Sequence, residues 1–302
     1  RGVEFNAPTG HYRRAEAGGV AVVRAIDSHV HPSTKEYLID TKGPFTEATA
    51  KYFKTQIKVR TVDEMAQEFR DLDIKAVLLG WDDETATGQP PLSNDFVARC
   101  VREHPDVFVG FAGVDPWKGK VAIKELERSV KELGLIGAKF HQAAQQFFPD
   151  DNRFYPLWDK CQELGIPVLF HCGTTGLGGG TPGGMGIRLK YLRPICLDDV
   201  AADFPDLTII AAHPAWPWTE EALAVALHKA NVYIDLSGWS PKYFPSALVN
   251  DIKTRLQDKA MFGTDYPYIT PQRWLSDFEL LDITPEIRQK LLVDNAKRIL
   301  KL

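Results

Sequence analysis

The chain has little cysteine, no long apolar run and no excess of charge of either sign. Its four cysteines, Cys100, Cys161, Cys172 and Cys196, are scattered with no Cys-x-x-Cys pair. That spacing excludes a thiolate zinc cage or a disulfide framework and predicts a reduced, cytoplasmic setting. Cys172 follows His171, an arrangement open to a nucleophile, but a free cysteine at a strand end more often packs as a small hydrophobe. No stretch is long and apolar enough to span a bilayer, which predicts no membrane partner. Residues 1–19 are polar and glycine-containing, with no hydrophobic core of a signal peptide. The net charge of −4 comes with no basic stripe, so no nucleic-acid partner is expected. The glycine-rich phosphate turn of a dinucleotide-binding fold is also missing after the first apolar segment.

What stands there instead is Ser28-His29-Val30-His31. Alternate residues of a strand share a face, so both imidazoles can point the same way and hold a divalent metal. The weight of this pair depends on further donors downstream.

Apolar runs recur along the 302 residues. Eight of them read as strands: Val22–Asp27, Ala76–Gly80, Val107–Gly113, Leu135–Phe140, Pro167–Phe170, Leu207–Ala212, Val232–Leu236 and Ala260–Gly263. Between them, Val62–Leu72, Val121–Leu133, Asp151–Leu164, Glu220–Lys229 and Pro245–Leu256 carry apolar residues at helical spacing. Thr284-Pro285 supplies a cap and a first-turn proline for a last helix. Alternating strands and helices predict parallel βαβ units. Eight such units in a chain of this length predict a single-domain α/β fold, the (β/α)8 TIM barrel. The expected division is an N-terminal arm over residues 1–21 and one barrel domain over residues 22–302.

In such a barrel the chemistry sits where the strands end. Five of the eight histidines fall there: His29, His31, His141, His171 and His213. The eighth strand adds Asp265. One strand-end histidine is as often packed as ligating, but five with an aspartate point to a metal site. The other three, His11, His104 and His228, fall in the arm, a loop and a helix, where a solvated role is expected.

Asp27-Ser-His-Val-His31, Lys139-Phe-His141, Pro167-Val-Leu-Phe-His171, His213-Pro-Ala-Trp216, Gly263-Thr-Asp-Tyr-Pro267 and Asp294-Asn-Ala-Lys-Arg298 together resemble the amidohydrolase superfamily. The closest likeness is to its amidohydrolase-related branch of metal-dependent barrels, which includes aminocarboxymuconate-semialdehyde decarboxylase. The resemblance runs from about residue 22 to the last residue. It implies that His29, His31, His171 and Asp265 bind one divalent metal, zinc first and manganese as the alternative. It implies catalytic roles for His213, as acid/base, and for Asp265. The reaction implied is non-oxidative decarboxylation of an aromatic or unsaturated carboxylic acid. The alternative is hydrolysis of an ester, lactone or amide by water activated at the metal. A non-catalytic barrel serving as a binding protein ranks last, because the ligand set is intact.

Other branches carry a carbamylated lysine and a second metal at strand four. Here Lys139 and His141 are expected to face the substrate beside a single metal. Trp81, Trp117, Trp216, Trp218 and Trp239 fall near the expected mouth and suit a planar substrate. Arg188 and Arg193 follow the glycine-rich run Gly173–Gly186. Arg188 is a candidate for a carboxylate clamp, and the run itself for a lid. The expected partner is a small carboxylate or lactone, and a homodimer is expected from the resemblance.

Overall fold

A computed structural model describes residues 23–302. The expected arm over residues 1–21, with His11, lies outside the described residues, as does Val22. Eight strands run β1 Ala25–Val30, β2 Ile74–Leu79, β3 Phe108–Gly113, β4 Gly137–Phe140, β5 Val168–His171, β6 Ile209–Ala212, β7 Val232–Asp235 and β8 Ala260–Met261. Each pairs in parallel with the next in sequence order. The strands are nearly all apolar because both faces are covered, one by the barrel interior and the other by helices. This is the (β/α)8 barrel.

The last strand turns back onto the first beyond its own short span. Ser28 N donates to Phe262 O at 3.0 Å, His31 N to Tyr266 O at 2.8 Å and Asp265 N to His29 O at 2.9 Å. Asp27 staples this seam. Its carboxylate accepts from Thr264 N at 2.9 Å, Thr264 Oγ1 at 2.6 Å and His29 N at 3.2 Å, all in the buried interior. Where β2 and β3 end, Gly80 and Gly113 allow a close approach: a Cβ on Gly80 would lie 2.2 Å from Gly113 N.

Helix Val62–Arg70 starts at a capping box, with Thr61 accepting from Glu64 N and Glu64 reaching back to Thr61 N. It buries Met65, Ala66 and Phe69, the apolar face that its spacing predicts. Thr284 caps the closing helical run, which starts at Pro285 and ends at Leu300. Among the described residues no helix is long and apolar enough to cross a membrane.

Boundaries moved where long-range pairing overrides local pattern. β1 spans Ala25–Val30 rather than Val22–Asp27, because its partner β2 and the returning eighth segment pair with its later residues. His29 is therefore inside the strand and His31 just beyond it. Helices Pro44–Phe53, Asn94–Glu103, Cys196–Asp203 and Pro271–Phe278 were not expected from spacing.

Candidate active site

His29 projects from β1 into the mouth of the barrel and is fully buried. Its Nδ1 lies 2.7 Å from Asp235 Oδ2, at the end of β7. Asp235 can only accept while ionised, so Nδ1 carries the proton and the Nε2 lone pair faces inward. His31 Nε2 lies 3.4 Å from Asp265 Oδ1, and His29 Nε2 lies 3.6 Å from the same oxygen. Tetrahedral ligands at about 2.1 Å from an ion stand roughly 3.4 Å from one another. The two imidazoles and the carboxylate therefore fit one divalent ion in both spacing and donor chemistry. Among the described residues they form one of two groups with metal-ligand spacing; the other joins His29, His213 and Asp235.

Burial pulls the imidazoles toward the neutral form, which is the ligating form. His29, His141 and His171 lie well below the ordinary histidine value, and His31 is lowered to about 4. Burial opposes ionisation of Asp265, but the hydrogen bond with His31 and the neighbouring imidazoles hold it below the usual carboxylate range. Asp265 has φ 66° and His213 has φ 72°, so both are held in the left-handed region by the loops around them.

His171 stands outside the His29–His31–Asp265 group. Its Nδ1 faces His213 Nε2 at 3.1 Å, and its Nε2 faces Thr174 O at 3.3 Å. The other nitrogen of His213, Nδ1, lies 2.8 Å from Ser237 Oγ, which also approaches His29 Nδ1 at 3.0 Å. A Cβ on Gly238 would lie 2.5 Å from His213 Nδ1, so a glycine here lets the backbone pass beneath the ring.

Lys139 and His141 both come to the site from β4 and the residue just beyond it. Lys139 is buried, with Nζ 3.4 Å from His29 Nε2, and burial lowers its ammonium to about 8. His141 packs its ring 4.1 Å from that of His171, and its Nε2 meets Thr175 Oγ1 at 3.2 Å. Its Nδ1 also accepts from Ala144 N at 3.2 Å, which ties it to the following turn.

His31, His141, His171, His213 and Asp265 open into a cavity of about 340 Å³, whose lining does not include His29 or the Lys139 expected to face the substrate. Trp81, Trp216 and Trp239 line it, whereas Trp117 and Trp218 do not. Trp117 instead donates from Nε1 to Gln145 O at 2.6 Å. Arg188 is exposed and outside the lining, and Arg193 pairs with Glu221. From the glycine-rich run, Thr174–Leu177 line the cavity. Cys172 is buried and its thiol is pushed up by burial, which agrees with a packed residue rather than a nucleophile.

Sequence reasoning missed several residues. Asp235 was readable only as the end of an apolar strand, and its partner lies 206 positions away. Lys42, Tyr52 and Phe53 line the cavity from the segment between β1 and β2, which carried no motif.

Comparison with known proteins adds a family match, two relatives and two solved structures. The family described as Amidohydrolase matches residues 26–302. A gamma-resorcylate decarboxylase of Polaromonas sp. is 25% identical, over 90% of this chain and 97% of that protein. A 2-amino-3-carboxymuconate-6-semialdehyde decarboxylase of Dictyostelium discoideum is 24% identical, over 92% of this chain and 84% of that protein. Among solved structures, an uncharacterised TIM-barrel protein of Bordetella bronchiseptica matches with a TM-score of 0.76 at 24% identity, covering 92% of this chain and 98% of that one. A dihydroxybenzoic acid decarboxylase of Polaromonas sp., solved with manganese and 2-nitroresorcinol, matches with a TM-score of 0.65 at 21% identity, covering 92% and 97%.

Proposed function

The chain belongs to the amidohydrolase family, and from that premise we propose that it is a metal-dependent carboxy-lyase removing CO2 non-oxidatively from an aromatic or unsaturated carboxylic acid. The observation that carries this reading is the His29–His31–Asp265 group at the base of an aromatic-walled cavity. Relatives named as decarboxylases cover nearly the whole chain, which supports the choice of reaction.

In this reading His29, His31 and Asp265 hold one divalent ion. His171, neutral and buried beside His213, is assigned as the fourth donor. An imidazole-rich set suits zinc, and a structural neighbour carries manganese; elemental analysis decides between them. An ion held by these residues would supply Lewis-acid chemistry at the base of the cavity. Asp235 orients His29 through its Nδ1 proton.

His213 is assigned as the acid/base group. Its ring would take a proton from solvent and pass it to the carbon that bears the carboxylate; the bond to the carboxylate carbon breaks, its electron pair goes to the new C–H bond, and CO2 leaves. Ser237, 2.8 Å from His213 Nδ1, orients the ring. Trp81, Trp216 and His141 wall the cavity, with Lys139 behind them beside His29. They exclude water and fit a flat substrate. Arg188, exposed and outside the lining, is given no part in holding the carboxylate. The barrel domain is taken to run from residue 22 to residue 302.

The test is CO2 release from a panel of hydroxybenzoates and muconate-type acids, run beside a panel of esters and lactones. Release of CO2 from at least one acid is the expected result. Ester or lactone turnover without any CO2 would replace this reading with hydrolysis.

A further inference from the structure

Lys42 is a buried cation that the proposed chemistry does not use. It follows the turn Glu36–Thr41, with its backbone N–H on Tyr37 O at 2.8 Å. Only 4% of the residue is exposed. Its Nζ lies 4.1 Å from the centroid of the Trp81 ring, 5.9 Å from that of Tyr37 and 6.0 Å from that of Phe45. The ammonium thus lies over the faces of three aromatic rings.

Among the described residues no carboxylate lies within ion-pair distance of it. Asp83 and Asp265 act on it only through space. Asp83 is itself buried, with Oδ1 lacking any hydrogen-bond partner. A buried ammonium without a hydrogen-bonded counter-ion is unfavourable, and burial pulls Lys42 down to about 8. An anion beside it would reverse that cost.

The cavity supplies the place for one. Lys42 lines the same cavity as His31, His213 and Asp265. Tyr37 and Trp81, which flank the ammonium, also flank His31, with ring centroids 5.0 and 5.7 Å from it. Among the described lining residues Asp265 is the single acid, against the cations Lys42, Lys54 and Arg273. The lining favours a ligand with more than one negative charge. Lys54 and Arg273 are exposed, so Lys42 is the buried member of this set.

We infer that Lys42 recognises a second anionic group of the substrate, across the Tyr37 and Trp81 rings from His31, and that the preferred substrate is an aromatic or unsaturated diacid. This rests on the decarboxylase reading for the identity of the first carboxylate. Lys42 is a specificity residue: it touches the retained group and not the bond that breaks.

The experiment is calorimetric titration of the metal-loaded enzyme with salicylate, 4-hydroxyisophthalate and 2-hydroxyterephthalate, which share a ring and differ in the second carboxylate. One of the two diacids should bind about tenfold or more tighter than salicylate, the size of a charge-assisted contact. Lys42→Met keeps an apolar stem against Trp81 and should reduce that ratio to near one. Lys42→Arg should keep most of it, and thermal melts establish that both variants fold. Should Lys42→Met fail to fold, Lys42→Gln takes its place with the same expectation. Equal binding of mono- and diacids by the unaltered enzyme, or a preference that survives Lys42→Met, overturns the inference. Because the readout is binding, diacid binding through Lys42 with no CO2 release from any acid of the panel sinks the decarboxylase reading and leaves the role of Lys42 standing.

Discussion

Asp235 Oδ2 accepts a hydrogen bond from His29 Nδ1 at 2.7 Å, joining the last residue of β7 to the penultimate residue of β1. This contact decides which imidazole nitrogen faces the proposed ion. Asp235→Asn places an amide there that can donate to Nδ1 and so favour the wrong tautomer. Metal affinity should fall by about 10- to 100-fold, the usual cost of losing such a partner. Competition against a chromogenic chelator measures it, and an affinity within twofold of the unaltered protein would show that Asp235 does not set the ligand.

His213 is not in the His29–His31–Asp265 group, and its two nitrogens meet Ser237 and His171. His213→Asn should therefore leave the metal content intact while lowering the rate of CO2 release by roughly 10²- to 10⁴-fold, the range of general acid–base catalysis. Turnover within threefold of normal would remove His213 from the chemistry.

Gly238 offers a finer probe of the same ring. It has φ 75°, and an added Cβ would lie 2.5 Å from His213 Nδ1. Gly238→Ala should lower kcat by a larger factor than it raises KM, since the ring must shift while Trp81 and His141 across the cavity stay. A variant with unchanged kcat would mean that the position of His213 is not critical.

Asp27 closes the barrel rather than serving the reaction. Its three donors are buried, and removing the carboxylate leaves Thr264 N and the Thr264 hydroxyl hydrogen without an acceptor. Each such orphan costs about 1–3 kcal/mol. Asp27→Ala should lower the melting midpoint by roughly 5 °C or more for a chain of this size. A melt unchanged within a degree or so would mean that the seam is held by its backbone bonds alone.

Lys42 also makes a pH prediction. Burial lowers it to about 8, Asp83 and Asp265 oppose that lowering, and Lys139 adds to it. A second carboxylate needs the charged form, which is lost as pH rises through that value. The binding advantage of a diacid over salicylate should therefore shrink between about pH 7 and pH 9.5, and shrink less in Lys42→Arg. Lys139 titrates in the same range, so Lys42→Met serves as the control: its ratio should stay flat. A ratio in the unaltered enzyme that does not change with pH would contradict a role for the ammonium.

Much of this was legible in the chain because parallel strands buried on both faces leave unbroken apolar runs. The strand-end positions of His29, His31, His213 and Asp265 followed directly from those runs. The remainder depends on contacts across long sequence separation. β1 slid three residues toward its C-terminus because Ser28, His31 and Asp265 join it to the returning segment after β8. Asp235 became visible only when β7 came to lie opposite β1's histidine. Lys42 sits in a segment without periodicity, and its burial is completed by Trp81, which the end of β2 brings onto the local rings of Tyr37 and Phe45. The tryptophans showed the limit of counting aromatics near strand ends: Trp81 faces the cavity, whereas Trp117 turns outward to cap Gln145.

The most direct test of the central claim is the metal content of the purified protein, measured with CO2 release before and after chelation. The account predicts one zinc or manganese ion per chain, loss of CO2 release when it is stripped and recovery when it is returned. No stoichiometric ion, or CO2 release that survives complete chelation, would contradict it.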